Sequence, residues 1–121
     1  MITDDPLILY FRNVRLKADL GAERRLAAEK EGRKIAVEVK DFDGASLSND
    51  LQKMAGQLQF YQWALDDQEP DRELFLAVSK AVYDSQVQDP TSAFNAIVER
   101  NRINLIVFDD SREVILQWIE R

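Results

Sequence analysis

Apolar and polar positions along the chain follow two periods, and the switch between them marks out the elements. Residues 7–11 form a short apolar run after Pro6, which predicts a buried strand. Residues 15–20 alternate, with Leu16, Ala18 and Leu20 on one face and Arg15, Lys17 and Asp19 on the other, the pattern of a half-buried strand. Residues 25–30 and 34–42 flank Glu31-Gly32-Arg33, where Gly32 can supply the positive φ of a hairpin turn. In the second arm Ile35, Val37 and Val39 share one face and Ala36, Glu38 and Lys40 the other. The period then lengthens. Leu47, Leu51, Met54, Leu58, Tyr61 and Leu65 recur at steps of three and four, which predicts an amphipathic helix capped by Ser46 or Ser48 and stopped by Pro70.

The second half reads as strand, two short helices and a terminal hairpin. Residues 73–79 are apolar at nearly every position, as in a strand buried on both faces. A short helix is predicted over 81–87 and another over 93–101, with Phe94, Ile97 and Val98 inward. Strands over 103–108 and 113–119 flank the turn residues Asp109-Asp110-Ser111. With no repeat, linker or low-complexity stretch, residues 1–121 are expected to form a single domain. Its class is α/β or α+β, a mixed β-sheet flanked by helices.

Composition narrows the chemistry. Cysteine and histidine are both absent from the 121 residues. Disulfides, thiol nucleophiles, Ser-His-Asp catalysis and histidine-ligated metals are thereby excluded, and any metal must be held by oxygen, which suits magnesium, manganese or calcium. No apolar run reaches the roughly 20 residues of a membrane span and no signal peptide opens the chain, so a cytoplasmic protein is expected. The net charge is −6, yet residues 12–40 carry nine basic residues against five acidic ones. One basic face is compatible with this balance, and so is a solvated charged hairpin.

One group of residues has the chemistry of metal-assisted phosphodiester hydrolysis. Glu38 and Lys40 leave one face of a strand, and Asp19 lies on the polar face of a strand expected beside it. Two carboxylates can hold a divalent cation, and a lysine can position the attacking water or neutralise developing charge. Gln57 and Tyr61, four apart on the next helix, lie one above the other on a single face. The same residues also fit a cross-strand ion pair of Lys40 or Lys17 with Asp19 or Glu38, and Tyr61 also fits plain core packing.

Phrases along nearly the whole chain carry a resemblance. They include Asp5-Pro6-Leu7-Ile8-Leu9-Tyr10, Asp19-Leu20-Gly21-Ala22-Glu23, Lys34-Ile35-Ala36-Val37-Glu38-Val39-Lys40, Gly56-Gln57, Glu69-Pro70-Asp71-Arg72 and Gln117-Trp118-Ile119. These resemble the cyanobacterial XisH family of fdxN-element excision controlling factors. The resemblance implies a restriction-endonuclease-like fold of the PD-(D/E)xK type. Asp19, Glu38 and Lys40 match its motif, with Ala18 in the place of the nominal proline, and Gln57 and Tyr61 match its helix motif. It further implies a role in DNA excision beside a serine recombinase and a second controlling factor, XisI. Asp19 and Glu38 would be ligands to magnesium or manganese. Two activities fit: a magnesium-dependent endonuclease, or a non-catalytic module that binds DNA or partner proteins. Family members usually begin with a helix that this sequence lacks before its first strand. An apolar sheet face is therefore expected to be covered by another subunit, in a homodimer or a complex with XisI.

Overall fold

The computed structural model describes residues 2–6, 9–16, 23–30, 32–40, 47–109 and 114–120. The strands among them are β1 (Ile2–Pro6), β2 (Leu9–Phe11), β3 (Val14–Leu16), β4 (Glu23–Lys30), β5 (Arg33–Lys40), β6 (Glu73–Ser79), β7 (Asn104–Asp109) and β8 (Val114–Ile119). The helices are α1 (Leu47–Gln68), α2 (Lys80–Val82) and α3 (Ala93–Arg100). Six strands form one sheet in the order β1-β4-β5-β6-β7-β8, and β2 pairs with β3 in a separate hairpin. The pairs β5-β6 and β6-β7 are parallel and the others antiparallel, which makes the sheet mixed and the fold α+β.

The two parallel connections explain where the helices sit. A strand that returns parallel to its neighbour needs a crossover, and α1 supplies it between β5 and β6, α2 and α3 between β6 and β7. Both crossovers pack on one face. Leu51, Met54, Leu58, Tyr61 and Leu65 of α1 join Phe94 and Val98 of α3 against Ala36, Leu76, Val78, Leu105 and Val107 of the sheet. The opposite face has its own core of Ile35, Val37, Phe75, Ala77 and Ile106, with Val39, Phe108 and Trp118 packed against it. The Phe75 and Trp118 rings meet edge to face at 5.6 Å. Strand β6 supplies buried residues to both cores, which accounts for its unbroken apolar run.

Polar ties set the ends of these elements. Arg72, after α1, donates to the Ile35 carbonyl of β5 at 2.7 Å and to Glu69 at 3.2 Å. Arg33, at the start of β5, pairs with Glu73 at 3.3 Å and with Glu120 beyond β8. The predicted helix over 81–87 is instead α2 followed by a widened turn over Tyr83–Val87, in which the Gln88 N–H donates to the Tyr83 carbonyl five residues back. Ser92 caps α3: its Oγ accepts from the Asn95 N–H at 2.9 Å and donates to the Gln86 carbonyl. Asn95 in turn donates to the Val87 carbonyl at 2.7 Å. Ser92→Ala removes both contacts of the cap, and a loss of about 1–2 kcal/mol in unfolding free energy is expected by urea denaturation.

Two strands differ from the sequence pattern. Of the apolar run over 7–11, residues 9–11 are described, and they do not form a buried strand. Pro6 ends β1, an edge strand where a missing N–H is tolerated, and Leu9–Phe11 forms β2 with Tyr10 exposed. The alternating stretch over 15–20 contributes its first two residues to β3, and 17–20 lie outside the described residues. On the β4 side Glu38 stands across from Arg25.

Candidate functional site

Strand β5 is the third of six in the sheet, and its helix-covered face carries the one charged side chain buried among the described residues. Glu38 is 2% exposed. Its neighbour two residues back, Ala36, and its register partner on β6, Leu76, both belong to the core beneath α1. Alternation along β5 therefore sends the Glu38 carboxylate into the layer between sheet and helices. An ionised carboxylate in such a layer is costly unless hydrogen bonds, a cation or a metal compensate it. Lys40 ends β5 two residues further on.

Helix α1 lies over this face because its apolar stripe has helical spacing. Tyr61 is in that stripe and buried, and Gln57, one turn earlier, is half-buried at its edge. Tyr61 thus serves as core packing whatever else it does, and it shares the core that surrounds Glu38. Asp19 lies outside the described residues. Among the described residues, no group of three or more carboxylates forms a ready metal site.

The strand register adds two residues that the sequence pattern had not singled out. Arg25 stands directly across from Glu38, and Glu23 directly across from Lys40. The signal was available: Gly32, with φ of 78°, lies in a loop of two residues between Lys30 and Arg33, and that loop length alone fixes the pairing. Reading a three-residue turn shifts the register by one.

A cleft of about 320 Å³ opens at the other end of the sheet, lined by Gln59 and Gln62 of α1, Arg72, Glu73, Arg102 and Asn104 among others. It contains none of Glu38, Lys40, Gln57 or Tyr61, and Glu73 pairs in register with Ile35, the opposite end of β5 from Lys40. The cleft is therefore separate from the carboxylate site. No described helix is long and apolar enough to cross a membrane.

A mixed sheet with crossover helices on one face and a buried glutamate, Glu38, on a central strand is a small α+β domain, and the relatives identify its family. The family described as XisH protein matches residues 1–116, and this chain belongs to it. Two solved structures are similar to it. An XisH family protein from Nostoc punctiforme PCC 73102 is 36% identical with a TM-score of 0.82, covering 99% of this chain and 88% of that one. A fdxN element excision controlling factor protein from Anabaena variabilis is 40% identical with a TM-score of 0.80, covering 99% of this chain and 87% of that one. None of the curated proteins matches the chain.

Proposed function

We propose that the chain is a controlling factor of DNA-element excision that works through a metal-assisted, nuclease-like carboxylate site of the restriction-endonuclease kind. The observation that carries this reading is Glu38, a carboxylate kept buried on a central strand two residues before a lysine. A core position that serves stability alone would hold an apolar residue, so a charge retained there points to chemistry. Asp19 and Glu38 would hold magnesium or manganese. That ion would supply an acidified water and offset charge on a phosphodiester. Glu38 fixes the inner side of the site because the packed core around β5 holds its backbone rigid. Lys40 contributes an ammonium that orients the attacking water or offsets charge at the phosphate. Gln57 and Tyr61 brace the site from α1. DNA is the substrate class, and an XisI-type factor, a serine recombinase and a second copy are the partners this role involves.

Nicking of supercoiled plasmid in magnesium or manganese tests it. The wild type is expected to nick, and Glu38→Gln and Lys40→Ala to lose about 10²–10³-fold in rate, the usual effect of removing one electrostatic stabiliser. Nicking unchanged in Glu38→Gln would remove Glu38 from the site.

The register favours a second reading. Arg25 across from Glu38 and Glu23 across from Lys40 are the positions of two cross-strand ion pairs. With those pairs formed, the chain is a non-catalytic module that binds DNA or partner proteins. Absence of nicking in either metal, with the wild type fully folded, supports this reading over the first.

A further inference from the structure

We propose that the outer face of α1 docks a partner-protein segment carrying an arginine or lysine flanked by apolar residues. Phe60 and Trp63, 46% and 41% exposed, meet edge to face at 5.5 Å on the side of α1 turned away from the sheet. Tyr10, 48% exposed, lies alongside on the β2-β3 hairpin, where its N–H donates to Gln68 Oε1 at 3.2 Å. Two large rings in edge contact and left half in water, with a third exposed ring on the hairpin tied to the same helix, are the kind of surface that anchors protein interfaces.

The charges beside the rings specify the occupant. Trp63, Asp66, Asp67 and Arg12 line a notch of about 260 Å³. Among the described residues that line it, two carboxylates stand against one guanidinium. Asp66 and Asp67 also stand at the C-terminal end of α1, whose last turn holds no basic residue. The carbonyl end of a helix favours cations, so the native sequence places the wrong sign of charge there, and a docked cation relieves it. Gln62 donates to Asp66 Oδ1 at 2.9 Å and holds that carboxylate in place. A guanidinium entering the notch can stack on the Trp63 face while pairing with Asp67, and apolar neighbours can cover Phe60 and Tyr10. Nucleic acid fits poorly, because its phosphates would meet the two carboxylates. This surface is separate from Glu38, and the inference stands or falls apart from the metal site.

The test uses the full chain with Trp118→Phe, which leaves Trp63 as its only tryptophan. The probe is a short synthetic peptide of leucine and arginine, compared with the same peptide carrying glutamate for arginine and with duplex DNA. The expected result is saturable quenching of Trp63 fluorescence by the arginine peptide alone, weakening as salt rises. In Asp66→Asn/Asp67→Asn the affinity should fall about tenfold, with the fold intact by circular dichroism. Calorimetry should find no binding to Trp63→Ala. No binding to the wild type, equal binding by the glutamate peptide or DNA, or unchanged affinity in the double variant would overturn the proposal. So would a concentration-dependent dimer abolished by Trp63→Ala, which assigns the face to a second copy.

Discussion

Phe75→Ala is expected to lower the unfolding free energy by about 3–5 kcal/mol, the largest loss of any single truncation considered for this chain. Phe75 is fully buried near the middle of β6, on the face that carries neither α1 nor α3. Its ring packs on Trp118 from β8, and Ile35, Val37, Ala77 and Ile106 close around it. Those neighbours are strand residues held by ladder hydrogen bonds on both sides, so they can collapse into the void only slightly. Domains of this size have about 5–15 kcal/mol in total, so the variant should melt well over 10 °C lower. Val114→Ala, on the exposed stretch of β8, should cost under about 1 kcal/mol. A Phe75→Ala loss as small as that of Val114→Ala would mean that the second face is not a packed core.

The second large effect is on metal. On the proposed function, manganese is expected to raise the melting temperature of the wild type, because a divalent cation held by Asp19 and Glu38 would relieve the repulsion between two carboxylates brought together there. Ligand at 100 times its dissociation constant stabilises the native state by about 2.7 kcal/mol, a shift of roughly 10 °C in a domain of this size. The response should vanish in Glu38→Ala, which lacks a ligand, and persist in Lys40→Ala, which lacks only a competing positive charge. Each variant is compared with itself in the absence of metal, so its own baseline stability drops out. Equal responses in wild type and Glu38→Ala would show that Glu38 is not a ligand.

Period and punctuation made some elements legible and not others. Residues 73–79 are a strand with those same bounds because an unbroken apolar run bounded by Pro70 on one side and polar residues on the other has few alternatives. Helix α1 runs Leu47–Gln68 with Leu51, Met54, Leu58, Tyr61 and Leu65 of the predicted stripe buried, since a stripe of that length can only be helical. The run over 7–11 misled because apolar content does not say which element a segment packs on, and Leu9–Phe11 joins a small hairpin against α1. The widened turn over Tyr83–Val87 leaves no mark in the pattern, since it adds a residue to a helical turn without changing which faces are apolar. At the site, Glu38 was legible as a charge on an apolar strand, and the structure adds that it is buried. Arg25 and Glu23 are not legible in the pattern because cross-strand neighbours depend on register, and the pairing of Lys30 with Arg33 sets a register one residue away from that of a three-residue turn.

The choice between a metal site and a cross-strand ion pair is settled most directly by crystals soaked in manganese and measured at its absorption edge. A metal site at Glu38 gives an anomalous peak roughly 2 Å from one of its carboxylate oxygens, with Asp19 on the other side of the peak. No peak at Glu38, with its carboxylate bound instead to the Arg25 guanidinium, would contradict it.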